Sequence, residues 1–120
     1  MSRYPYTAAA DVAGRRFVKA GGAAGTIIQA TGSTDALLGV SASMGGKSGQ
    51  VVDVEETGVA EIEYGGAVAV GDPLTSDAVG RAVKANPGAG VVAQVGGYAR
   101  VAGVLGDFGS MKTARGQIKG

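Results

Sequence analysis

The sequence predicts an all-β protein with little helix, built as a compact small barrel or sandwich. Glycine makes up 23 of the 120 residues, which indicates frequent turns. Short runs rich in Val, Ile and Thr lie between turn residues that recur about every 8–12 positions, as in sandwiches and small barrels. No stretch shows the apolar period of a long amphipathic helix. The length fits one domain.

The clearest alternation of apolar and polar residues lies in the middle of the chain. Val52 and Val54 share one face, and after the turn Thr57-Gly58 the residues Ala60, Ile62 and Tyr64 also face inward. Two such runs joined by a short glycine turn predict a β-hairpin with one exposed face. Four acidic side chains lie on that outer face: Asp53, Glu55, Glu61 and Glu63.

The remaining elements are weaker in pattern. Short strands are predicted before the hairpin over 16–19, 26–30 and 36–41. A second hairpin is predicted to join 74–75 to 82–84, because Gly71-Asp72-Pro73 and residues 76–80 are rich in turn formers. The region 85–97 is weakly patterned, 100–105 is predicted as a buried strand, 108–114 as a loop or helical turn, and 117–119 as a closing strand.

Residues 1–14 are predicted to form an extended N-terminal arm, and 15–120 the β-rich domain. Pro5, the run of three alanines at 8–10 and Asp11 show no alternation, and chain ends of this kind order only when a partner holds them. No leader segment is visible, and no apolar run of about 18 residues is present. We therefore expect synthesis in a cytoplasm and no membrane partner.

The absence of Cys and His excludes thiol and imidazole catalysis, zinc sites and iron–sulfur ligation. We therefore expect no enzyme activity, no metal and no cofactor. The segment Gly45-Gly46-Lys47-Ser48 resembles the end of a phosphate loop but is followed by a predicted strand. Residues 88–93 match a relaxed dinucleotide pattern, and Lys84 resembles a carrier-domain lysine. We attribute the dinucleotide match to the abundance of Gly and Ala, and Lys84 lies inside a predicted strand, whereas a carrier lysine lies at the tip of a hairpin.

Charge is nearly balanced overall but unevenly distributed. A net charge of +1 argues against nucleic acid as the main partner. The basic residues concentrate at the two ends, whereas the acidic residues crowd the middle. Because like charges on one hairpin face repel mildly, the acidic face formed by Asp53, Glu55, Glu61 and Glu63 is predicted to meet a basic segment of a neighbouring subunit. A glycosidase-like carboxylate pair is the less common alternative.

The predicted core is short of large side chains. Six residues supply all the aromatic rings: Tyr4, Tyr6, Phe17, Tyr64, Tyr98 and Phe108. Small cores of this kind need staples or partners, and disulfides are excluded by composition. Oligomerisation or docking on a larger body is the remaining common solution.

Residues 71–85, GDPLTSDAVGRAVKA, resemble a segment of the head-decoration or capsid-cement proteins of tailed phages, the lambda head-decoration-like family. The preceding residues 66–71 and the later residues 100–105 are also similar to that family, so the resemblance covers about 58–106. It departs from the family's closing strand at residues 114–119.

The resemblance implies a compact β-rich fold of the β-tulip type, frequently trimeric. Such trimers lie over local threefold positions on the outer surface of the capsid, bridge major capsid protein subunits and stabilise the shell. On this interpretation the N-terminal segment binds the capsid, with five contact residues: Arg3, Tyr4, Tyr6, Arg15 and Arg16. Tyr and Arg are effective interface anchors.

One alternative remains open from the sequence. A carbohydrate- or host-binding β module of a phage particle would need exposed aromatic platforms. Tyr64 and Tyr98 are the only mid-chain candidates for such a platform.

Overall fold

A computed structural model describes residues 3–120, apart from the side chain of Arg3. This part of the chain contains ten strands and no helix, which confirms the all-β prediction. The strands are β1 (Arg3–Ala8), β2 (Phe17–Ala20), β3 (Thr26–Gln29), β4 (Gly39–Ser41), β5 (Val51–Glu55), β6 (Val59–Glu63), β7 (Pro73–Ser76), β8 (Ala82–Lys84), β9 (Val92–Ala99) and β10 (Phe108–Lys119).

The strands form a closed barrel and a second sheet. The barrel has the order β1-β3-β2-β4-β5, with β1 parallel to β3 and antiparallel to β5. The second sheet has the order β6-β10-β9-β7-β8, and its neighbouring strands are antiparallel. Closing the barrel removes the unpaired strand edges that would otherwise attract other chains.

The extended arm is the main correction to the predicted organisation. Residues 3–8 form β1, whose pairing with β5 runs from Arg3 opposite Glu55 to Thr7 opposite Val51. Ala8 and Val12 are buried in the barrel core. The segment therefore folds into the body, because the barrel needs a fifth strand and supplies its apolar contacts. Met1 and Ser2 lie outside the described residues.

The prediction of a central hairpin is wrong in its strand pairing, whereas the residues predicted to face inward are confirmed. Val52 and Val54 point into the barrel core, whereas Ala60, Ile62 and Tyr64 point into a larger core that lies between barrel and second sheet. β5 pairs with β1 and β4, and β6 pairs with β10. Alternation determines which face of a strand is buried and does not determine its neighbour, so the chain passes from one sheet to the other at Gly58.

The second predicted hairpin is confirmed. β7 and β8 pair antiparallel, with Leu74 opposite Lys84 and Ser76 opposite Ala82. Asp77 holds the turn, since its Oδ1 accepts hydrogen bonds from the backbone N–H groups of Val79 and Arg81, both at 2.9 Å. Local turn chemistry is sufficient to specify this hairpin.

The last third of the chain differs most from its prediction. Residues 100–105, predicted as a buried strand, form a largely exposed loop, and residues 108–114 belong to the long strand β10. The weakly patterned region contains most of β9. Only the closing strand 117–119 was placed correctly, as the end of β10. Gly97 of β9 packs directly on the Met111 side chain of β10, so there is no room for a larger residue. Small residues of this kind interrupt the alternation by which a strand is recognised in the sequence.

Tyr64 connects the second sheet to the loop that precedes β10. Its side chain is fully buried, and its hydroxyl donates a hydrogen bond to the Val101 carbonyl at 2.7 Å. Its backbone N–H donates to the Asp107 carbonyl at 2.7 Å, and its carbonyl accepts from Gly106 at 2.9 Å. The ordinary pKa of a tyrosine hydroxyl already lies well above neutral, and burial raises that of Tyr64 further, so the group is a donor at neutral pH.

We predict that Tyr64→Phe lowers the free energy of unfolding by about 1 kcal/mol, because it removes one buried hydrogen bond and leaves the ring packing intact. Urea denaturation would measure the change. Tyr98→Phe is the matched control, since that side chain is partly exposed and should leave stability unchanged. Equal stability of the two variants would contradict the role given to the Tyr64 hydroxyl.

Candidate interaction surfaces

The N-terminal strand presents its two tyrosines differently. Tyr4 is 50% exposed, although it lies opposite the buried Val54 on the same face of β1 as Tyr6. Tyr6 is half-buried and packs against the barrel core. The Tyr6 hydroxyl donates a hydrogen bond to Glu56, and this bond raises the pKa of Tyr6 above its ordinary value. The backbone of Arg3 pairs with Glu55. Of the two tyrosines predicted as contacts, Tyr4 has the more accessible ring.

Arg15 and Arg16 lie in the loop before β2 and reach across to the second sheet. Arg15 forms an ion pair with Glu61, and its backbone carbonyl accepts a hydrogen bond from the Glu63 N–H at 3.0 Å. Arg16 Nη2 lies 3.1 Å from Glu63 Oε1, and its Nη1 donates to the Val79 carbonyl at 2.9 Å. These contacts connect the barrel to β6.

The four predicted acidic residues therefore divide between two sheets. Asp53 and Glu55 lie on β5 in the barrel, and Glu61 and Glu63 lie on β6. The basic partner expected from a neighbouring subunit is supplied to Glu61 and Glu63 by the same chain. Since both carboxylates are ion-paired, this part of the surface is closer to neutral than the sequence suggests.

The aromatic ring of Phe108 lies beside the ion pair between Arg15 and Glu61. Phe108 begins β10 opposite Glu63 and is largely exposed. The guanidinium carbon of Arg15 stands 4.4 Å from the centre of its ring, a cation–π geometry. Tyr64, which the sequence offered as a possible aromatic platform, is buried and unavailable. Tyr98 is partly exposed.

Sequence reasoning missed an exposed apolar surface on two loops. The loop between β9 and β10 exposes Val101, Val104 and Leu105, and the loop between β6 and β7 exposes Val70. A sequence pattern of apolar residues ordinarily indicates burial, so residues 100–105 were predicted to form a buried strand. The Leu105-Gly106-Asp107 segment was the available turn signal.

The three nucleotide-like and carrier-like motifs take ordinary structural positions. Lys47 lies in a turn before strand β5, with its Nζ 3.8 Å from Asp11. Residues 88–93 lead into strand β9, and Lys84 ends β8 with its Nζ 4.0 Å from Asp72. No helix follows either glycine-rich segment, so neither has the strand–turn–helix geometry of a phosphate site.

Within residues 3–120 no group of three or more acidic side chains is arranged to hold a metal ion. The same residues include no helix long and apolar enough to cross a membrane.

The fold is that of a phage structural protein of known structure. It is similar to the crystal structure of the head fiber gp8.5 N base in bacteriophage phi29, with a TM-score of 0.71 and 20% sequence identity. The match covers 98% of this chain and 98% of that chain. At this identity the similarity is evidence for the fold. Among curated proteins, none matches the sequence.

The sequence also matches the family model of the phage cement proteins over residues 1–111. The chain therefore belongs to the phage cement protein family, which is a family of structural phage proteins. The family predicted from residues 71–85 is confirmed. The two ends of that segment form strands β7 and β8, and their pairing as a hairpin is enough to explain the residues found there.

We predict that Arg16 and Glu63 stabilise the fold as a pair. In a double-mutant cycle with Arg16→Met and Glu63→Gln, the coupling energy should be about 1 kcal/mol, because both side chains are largely buried. Urea denaturation of the four proteins would measure it. The exposed pair Lys47 and Asp11 is the control and should show no measurable coupling. Equal coupling in the two cycles would contradict the prediction.

Proposed function

We propose that this protein decorates the outer surface of a phage capsid and stabilises it by bridging subunits of the major capsid protein, without enzyme activity. Membership in the phage cement protein family over residues 1–111 is the observation that carries the proposal. The closed barrel supports it, because a body with few free strand edges can bind a shell without polymerising.

The proposed assembly is a homotrimer at local threefold positions, made in the host cytoplasm and added to the capsid from outside. The resemblance to trimeric head-decoration proteins supports this part of the proposal. Repeated copies on a symmetric shell give many weak contacts the strength of a firm attachment.

The proposed capsid contacts include five residues that contribute unequally to binding: Arg3, Tyr4, Tyr6, Arg15 and Arg16. Tyr4 is half-exposed and is the main candidate. Tyr6, Arg15 and Arg16 already contact Glu56, Glu61 and Glu63 within the chain, so their contribution to binding is indirect. The acidic residues Asp53 and Glu55 remain proposed subunit contacts on the barrel.

A carbohydrate- or host-binding module is the alternative. Partly exposed rings at Tyr98 and Phe108 favour it. Arg15 covers part of the Phe108 ring, and Tyr64 is buried. These two contacts reduce the aromatic area that a sugar ring could stack against, so we prefer the capsid role.

We predict saturable binding to expanded, undecorated capsids, measured by co-sedimentation with occupancy counted on gels. Saturation near about one copy per major capsid protein subunit is expected if the copies bridge a symmetric lattice. Capsids that already carry the native decoration protein are the control and should bind none. Absence of binding by folded protein would overturn the proposal and favour the glycan-binding alternative, which a glycan array would then test.

We predict that Tyr4→Ala weakens capsid binding about tenfold, because a half-exposed aromatic side chain is an effective interface anchor. A point substitution is needed, since deleting residues 2–14 would remove β1 and open the barrel. Thr7→Ala changes an exposed residue of the same strand and is the control. Unchanged affinity of the Tyr4 variant would exclude this ring as a contact.

A further inference from the structure

Two loops at one end of the second sheet are joined into a single unit. Residues 67–70 lie between β6 and β7, and residues 101–105 lie between β9 and β10. Val68 and Gly103 exchange backbone hydrogen bonds of 2.9 and 3.0 Å. We call these two segments the apolar loop pair.

The loop pair exposes several apolar side chains. Val70 is 67% exposed, Val104 is 59% exposed and Leu105 is 61% exposed. Val101 adds a fourth partly exposed aliphatic side chain, and three small residues extend the surface: Ala67, Ala69 and Ala102. Contiguous apolar surface of this kind on a soluble protein marks an interaction site.

The buried residue Tyr64 and a tight turn also hold the loop pair in one conformation. The buried Tyr64 binds the carbonyls of Val101 and Asp107, and a Cβ at Gly103 would lie 2.6 Å from its ring. Leu105 stands at the tip of a tight turn closed by the Asp107 N–H on the Val104 carbonyl at 3.0 Å, with Gly106 at φ +89°. The positive φ at the third position suits a type II turn, so the backbone of the loop loses little freedom on binding.

The charged side chains next to the loop pair form hydrogen bonds within the chain. Asp107 Oδ2 accepts the Val104 N–H at 3.0 Å, and Asp72 Oδ2 accepts the Ala69 N–H at 2.9 Å. Arg100 extends to Ser110, 3.2 Å away. The residues 67–70 and 101–105 themselves carry no charge. The surface offered to a partner is therefore apolar.

We propose that the apolar loop pair is a second capsid-contact surface, which docks on an uncharged apolar patch of a major capsid protein subunit. The inference rests on the proposed function and adds to it, since a second contact surface on each chain would let one copy contact two capsid subunits. The N-terminal strand provides one on the barrel, and the loop pair provides the other on the second sheet.

The size of the loop pair favours a capsid over a second copy of the chain. A patch of this kind exposes on the order of a few hundred Å², whereas a stable pair of proteins buries about 800 Å² on each partner. A contact this small holds only where many copies act together, which a capsid lattice provides.

The test is capsid co-sedimentation with the double variant Val104→Ser, Leu105→Ser. Both side chains are exposed, so circular dichroism and melting temperature should match wild type. Affinity should fall about tenfold or more. The control Val91→Ser has a similar exposure of 48% outside both proposed surfaces and should bind as wild type does.

The outcomes separate the two levels of the proposal. Wild-type binding with equal binding by the double variant would overturn the role of the loop pair alone. A concentration-dependent oligomer in sedimentation velocity that the double variant loses would assign the surface to self-association and overturn the capsid contact. Failure of wild type to bind capsids at any salt concentration would overturn the proposed function and this inference with it.

Discussion

The buried ring of Tyr64 determines how the second sheet closes and what it presents to solvent. It follows β6 directly and forms a bridge with Ala82 of β8, so the two outer strands of the sheet meet around it. Its ring occupies the space left by Gly103 and its hydroxyl holds the Val101 carbonyl. A chain with so few aromatic residues thus uses one of them as both core and anchor, which compensates for a core otherwise made of small side chains.

The N-terminal segment likewise has two structural roles. β1 closes the barrel, and the loop that follows it carries Arg15 and Arg16 to Glu61 and Glu63 on the second sheet. Barrel and sheet also share the larger core, in which Phe17 and Leu74 are fully or almost fully buried. Because apolar packing supplies most of the stabilisation, the ion pairs chiefly fix how the two layers are oriented.

Local signals predicted the parts of this fold that are local. The β7–β8 hairpin follows from Asp77 and its turn, and the inward faces of β5 and β6 follow from alternation. Pairing between distant segments left no trace in the pattern: β1 joins β3 and β5, and β10 joins β6. The acidic face that includes Glu61 was predicted to meet a basic segment of a neighbouring subunit, but Arg15 of the same chain contacts Glu61, because β1 folds into the barrel.

The same comparison explains why residues 100–105, which contain one segment of the apolar loop pair, were predicted to form a buried strand. Val101, Val104 and Leu105 have the composition of a buried strand, and their exposure results from Gly106 and Asp107, which turn the chain before it can pair. Intrachain contacts engage several of the charges that were expected to meet a partner, whereas these aliphatic side chains remain in solvent. Removing them from water is the larger favourable change that a partner can still provide, so binding by this protein should depend more on apolar contact than its uneven charge distribution suggests.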